Sequence, residues 1–256
     1  MGNPTVSHTL SVHKEHEVLL KLEAAGLDDN LAQKVIDSKD NDLAAKVIRL
    51  IQNGGFEATT SQKRAREIMG TNMFGVEEAI RHFGVNPSKA QLAALAEIPF
   101  LETVLEQCKN THILVAVFPL SILDIRSKAN VRELFYDQSW YNGESFAKER
   151  GRIGWQLVRK TPVDNSVSKN WGEQQVLISQ DDEVPTAQVL AYTIIGQYLA
   201  TGGQLFEKIY VRTSSVFSDG YRVNLGFFDA TGLLVDSCWD DFRFGGLAVS
   251  SARKSN

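Results

Sequence analysis

The sequence predicts an α+β protein, with a helical region over residues 1–110 and a mixed α/β domain over 111–256. Three observations predict it. Before position 110, apolar residues recur at helical spacing between legible stops. Ile113-Leu114-Val115-Ala116-Val117-Phe118 is then a continuous apolar, β-branched run of the buried-strand kind. Beyond one long helix, short strands alternate with Gly- and Asp-rich turns. A length of 256 residues agrees with one large or two small domains.

In chain order, Val18, Leu19, Leu22 and Ala25 share a helical repeat that ends at Gly26. Leu43, Val47, Leu50 and Ile51 follow a cap at Asp40 or Asn41 and stop at Gly54-Gly55. A third helix runs from Val76 to Phe83 and stops at Gly84. Asn86-Pro87 turns the chain, and Ser88 caps a helix over Ala90 to Ile98. Glu102 to Lys109 is one more short helix after Pro99. In the second part, strands are expected at Trp155 to Arg159 and Val176 to Ser179. A clear helix follows from Thr186 to Ala200, started by Pro185-Thr186 and ended by Gly202-Gly203. Further strands fall at Lys208 to Thr213, Arg222 to Phe228, Leu233 to Ser237 and Leu247 to Ser251. Ser218-Asp219-Gly220 and Asp229-Ala230-Thr231-Gly232 join them with residues that tolerate left-handed backbone.

Composition narrows the function classes. Lys and Arg number 27 against 31 Asp and Glu, for a net charge of −4 and a pI near 5.8. That balance argues against a strongly basic nucleic-acid or anionic-membrane surface. Cys108 and Cys238 cannot build a disulfide framework, which points to a reducing compartment. The longest apolar run, Ile113 to Leu123, is broken by Pro119 and Ser121 and is too short for a membrane span. Residues 1–20 hold His8, His13 and His16 among charges and lack the apolar core of a signal peptide; the myristoylation pattern also fails at the sixth position. The cytoplasm is the expected location, with virion or non-classical display as the other route.

Few motifs carry chemistry. His13 and His16 could share a helix face, but no Cys or clustered carboxylates complete a zinc set, so a solvated helix is expected and no metal or cofactor. Neither cysteine has a CxxC partner or an adjacent His, as a buried or surface thiol would look. GxxxxGK[ST], GxGxxG and GxSxG are absent from the sequence. Residues 79–92 resemble a helix-turn-helix that would aim Ser88, Lys89 and Gln91 at base edges. Its second helix, however, runs into Leu92-Ala93-Ala94-Leu95-Ala96 with no Arg, as a plain helical hairpin does. Asp229, Asp236, Asp240 and Asp241 offer carboxylates for calcium at a spacing that matches no EF-hand loop. Asp181-Asp182-Glu183 reads as a solvated acidic cap ahead of a helix.

The strongest signal is compositional. Glu, Lys, Gln and Met total 46, yet none falls in the 45 residues from Ile209 to Arg253. Proportion alone would place about ten there. β-rich structure accounts for some depletion of Glu and Lys but not for zero of all four. Within the window stand Asp219-Gly220, Arg222-Val223, Gly226, Phe228-Asp229, Gly232-Leu233, Val235, Trp239-Asp240-Asp241, Arg243 and Leu247-Ala248-Val249-Ser250-Ser251-Ala252-Arg253. This tail resembles the variable region of diversity-generating retroelement target proteins, in which a reverse transcriptase copies a template repeat and randomises its adenines. An Asn codon altered at its adenines never encodes Glu, Lys, Gln, Met or Trp.

The resemblance implies a C-type-lectin-like domain whose scaffold presents a changeable surface to a macromolecular ligand, usually a protein, with no enzymatic activity. It implies a ligand-binding set between the scaffold residues: Tyr221, Asn224, Phe227, Leu234, Asp236, Ser237, Cys238, Phe242, Phe244, Gly245 and Gly246, all reachable from an Asn codon. Trp239 is expected as a large buried anchor. The helical N-terminus would then serve oligomerisation or attachment. Two other functions stay open: an enzyme on the related formylglycine-generating-enzyme scaffold, which would need a reactive cysteine pair, and a DNA-binding regulator using residues 79–92.

Overall fold

The computed structural model describes residues 10–38, 43, 44, 47, 48, 51, 59–128 and 132–254. The chain divides into two compact units, Met1–Glu57 and Ala58–Asn256. In the first, helix α1 (Val12–Ala24) is capped by Ser11, whose Oγ accepts from Lys14 N, and the chain turns at Gly26 with φ +105°. Helix α2 (Asp29–Ile36) is capped by Asp28, whose Oδ1 accepts from Leu31 N at 2.8 Å. Neither helix has a buried residue, so local capping and not a core defines their ends. His8 and most of the helix expected between Asp40 and Gly54 lie outside the described residues.

The second unit opens with β1 (Thr60–Ser61), α3 (Gln62–Met69), β2 (Met73–Phe74), α4 (Val76–Phe83), α5 (Lys89–Ala94), β3 (Glu97–Ile98) and α6 (Glu102–Cys108). Gly84 ends α4 in the left-handed region, where a glycine carries no Cβ penalty. Strand β4 (His112–Val117) follows, buried at every position. Its partner β2 pairs with it in parallel, Met73 opposite Leu114 and Phe74 opposite Val115. The division expected at 110/111 therefore falls inside this unit. Packing says the same: the Phe74 ring lies 5.4 Å from Phe83 and 5.9 Å from Tyr192, far along the chain.

Then come α7 (Ile122–Arg126), α8 (Ser145–Lys148), β5 (Gly154–Arg159), α9 (Trp171–Gln175), β6 (Asp182–Glu183), α10 (Ala187–Thr201), β7 (Tyr210–Val216), β8 (Arg222–Asp229), β9 (Gly232–Cys238), β10 (Leu247–Val249) and β11 (Ala252–Arg253). The larger sheet has the order β2-β4-β5-β11-β6 and the other β10-β7-β8-β9, while β1 pairs with β3. This is an α+β architecture. Helix α10 has no solvent-facing polar stripe over its first three turns, where Gln188, Thr193 and Gln197 are buried with the apolar residues, the pattern of a core helix. It packs against β2 and β4 of one sheet and β7 and β8 of the other. Thr186 caps its start and Gly202, at φ +74°, its end.

Two strand expectations change. Val176 to Ser179 is not a strand, because Asn170 and Glu173 cap α9 reciprocally just before it, and Val176 is left 84% exposed. The strand expected through Ser251 ends at Val249. After Ser250-Ser251 the chain enters the other sheet as β11, between β5 and β6, so the C-terminal segment ties the two sheets together. Among the described residues no helix is long and apolar enough to cross a membrane.

Candidate ligand-binding cleft

Successive residues of a strand face opposite sides of its sheet. In the four-stranded sheet, Val211, Leu225 and Val235 lie opposite one another and are fully buried on the side that joins the core. Their neighbours Arg212, Asn224 and Asp236 form the adjacent row, on the outer side. Over that side lies a cleft of about 320 Å³. Six of the eleven residues expected from sequence line it: Asn224, Asp236, Ser237, Cys238, Phe242 and Phe244. Tyr210, Trp239 and Leu247 complete its wall.

The other five sit around or away from it. Tyr221 precedes β8, with its ring 6.0 Å from that of Trp239. Phe227 follows Gly226 at an irregularity in the β8–β9 pairing and stacks edge-on against Tyr210 at 4.7 Å. Leu234 lies opposite Gly226 on β9. Gly245 is exposed in the loop before β10, and the Gly246 carbonyl accepts from Tyr210 N at 2.8 Å. Trp239 is not a buried anchor. It is 53% exposed and its indole contributes a wall of the cleft, 5.2 Å from the Phe242 ring.

The anchoring role falls to Arg212, whose relative exposure is 0%. Its Nη1 donates to Lys169 O and Gln174 Oε1, both at 3.0 Å, and its Nη2 to Trp239 O at 3.3 Å and Phe242 O at 2.7 Å. One buried guanidinium thus pins the loop after β9 to the segment around α9. Arg222 reinforces it from the side: Nε and Nη2 donate to the two oxygens of Asp240 at 2.9 and 3.2 Å, and its guanidinium lies 3.7 Å from the centre of the Trp171 ring. Trp171 N in turn donates to Asp240 O at 2.8 Å. Arg212 and Trp171 were not singled out from sequence. The reciprocal Asn170–Glu173 cap was a readable signal for α9, whereas an arginine inside a strand reads as outward and solvated.

Two glycines of the frame are required by close approach. A Cβ at Gly226, where φ is +157°, would lie 1.9 Å from the Ile209 carbonyl oxygen. One at Gly232, φ +102°, would lie 2.6 Å from the Phe135 and Tyr136 backbone. Phe227 adopts φ +44°, a left-handed conformation unusual for a bulky side chain.

The electrostatics of the cleft are those of acceptors and rings. Burial and the charge of Asp236 push the Tyr210 hydroxyl up to about 12. Asn224 is 3% exposed, and its Oδ1 has no hydrogen-bond partner among the described residues. Burial also raises the Cys238 thiol, against an opposing pull from Arg212; Cys108 is likewise buried and raised. Both thiols are free and buried.

The remaining motifs disperse. Asp229 accepts from Thr231 N and Oγ1, Asp240 pairs with Arg222, and Asp236 faces the cleft. Among the described residues, no three His, Cys, Asp or Glu side chains group closely enough to hold a metal ion. His13 pairs with Glu17 on exposed surface. In the segment 79–92, Ser88 and Gln91 are spent on each other as a reciprocal cap, and α5 extends only over Lys89–Ala94. Compared with family models, with curated proteins and with solved structures, the chain matches none.

Proposed function

We propose that this chain is a non-enzymatic ligand-binding protein with a C-type-lectin-like C-terminal domain, whose surface is diversified by a retroelement through adenine-directed mutagenesis to recognise varied protein ligands. The observation that carries this reading is a partition of the tail. Six positions reachable from an Asn codon line one cleft, while Arg222, Gly226, Gly232 and Asp240, which resemble the family's scaffold, serve its frame. Solvent-facing aromatics support it too: Tyr221, Trp239 and Phe244 are exposed, and such rings are the type that dominates binding hot spots. Phe227 occupies a backbone conformation that Asn tolerates well, as expected of a position templated by an Asn codon. The helical first unit, with exposed Val18, Leu19 and Leu20, would serve attachment or self-association.

The test is to sequence the DNA around the gene for a second, non-coding copy of the segment encoding residues 209–253. A near-copy that differs almost only at its adenines, beside a reverse-transcriptase gene, is the expected result. Absence of any such copy would overturn diversification and leave the cleft as a fixed binding site.

A further inference from the structure

We propose that the cleft over the outer sheet face takes an arginine side chain presented by a protein partner. This rests on reading the surface as a protein-binding one and names the chemistry that it recognises. The cleft joins two features. One is a run of aromatic faces: Trp239 to Phe242 at 5.2 Å, and Phe242 to Phe244 at 6.4 Å with the rings inclined by 27°. The other is a pair of oxygen acceptors, one of them buried without a donor among the described residues. Asn224 is almost completely buried and its Oδ1 has no partner among the described residues. Asp236 is exposed and lines the same cleft, with one carboxylate oxygen taken by Ser237 N at 2.8 Å.

Among the described residues, no Lys or Arg lines this cleft. Aromatic faces carry partial negative charge and attract cations, and a buried amide oxygen without a donor is costly until a ligand supplies one. An incoming anion would meet Asp236 and the ring faces. A guanidinium meets both features at once: its plane lies against a ring while its five N–H groups reach a carboxylate and an amide oxygen together. An ammonium is a more strongly hydrated point charge and stacks less well. The charge that works against a cation is Arg212, whose Nη groups are committed to oxygens of the loop and the α9 segment.

The intact protein would be titrated with N-acetyl-arginine amide, with the lysine analogue, and with N-acetyl-citrulline amide, which keeps the shape of arginine and removes its charge. The Trp239 indole N–H signal, assigned with Trp239→Phe, reports on the cleft. We expect saturable shifts with the arginine compound and binding at least about tenfold weaker with the other two. Asp236→Asn, an exposed substitution whose fold is checked by circular dichroism, should bring arginine down to the citrulline level and leave citrulline unchanged. Equal affinity for arginine and citrulline, a lysine compound that binds as tightly, an unaffected Asp236→Asn, or no shift at Trp239 would each overturn the proposal. The template copy tests diversification and the titration tests the cation, so each can fail alone.

Discussion

On β8, Val223 and Leu225 point into the core, while Asn224 between them lines the cleft. The same strands in the same register thus carry two chemistries. The inner row of Val211, Leu225 and Val235 is apolar and fully buried; the outer row of Arg212, Asn224 and Asp236 is polar and bounded by a loop. The two rows differ in what a substitution would disturb. Inner positions are held by close packing, whereas the outer Asn224 and Asp236 line the cleft. Arg212 is the exception, an outer-row residue with an inner-row duty.

The largest expected effect tests the inner row. Leu225→Ala should destabilise the second unit by about 3 kcal/mol in urea unfolding, since it removes buried methyl groups from a close-packed core. A loss under about 1 kcal/mol would mean that the inner face is less tightly packed than its burial indicates. Acid should act on the interior at similar size. Burial first, then the charges of Arg253, Arg159 and Lys160, hold His112 at about 4, below its ordinary 6.5. Between those values the unfolded chain binds a proton that the folded one refuses, so stability is full above pH 6.5 and falls by about 3 kcal/mol as pH drops to 4. His112→Asn should flatten that slope in pH-dependent unfolding.

Arg212→Met distinguishes the exception from its row. Four acceptors would lose their donor, at a cost of about 2 kcal/mol, and amide exchange should accelerate over residues 239–243 before it does in β8. Uniform acceleration in both would show that the arginine supports the sheet and not the loop. The smallest effect belongs to Phe227→Asn. Relief of a strained φ and loss of the edge-on contact with Tyr210 are each worth about 1 kcal/mol and oppose each other. Thermal unfolding should therefore shift by only a few degrees, while binding of any ligand that reaches that rim changes.

Helix α10 was readable because Pro185, Thr186 and Gly202 are local punctuation. Other features were hidden. The Val176 to Ser179 run has strand-like residues, yet the cap at Asn170 placed a helix turn immediately before it. Trp239 read as an anchor on size alone, but the interior beneath the loop is occupied by Arg212, whose acceptors on Lys169 and Gln174 lie some forty residues earlier. Phe227 is reachable from an Asn codon and does not line the cleft, because the irregular pairing after Gly226 redirects the chain.

Residue pattern alone was enough for the α+β class and most helix ends, because capping and glycine conformation act within a few residues. The tertiary structure alone decided that residues 60–110 share a core with β4, and that Arg212 closes a loop into a cleft. It also brought six of the predicted positions to one place. Those outcomes depend on pairings between distant segments, whose partners are chosen by packing and by the need to satisfy buried polar groups.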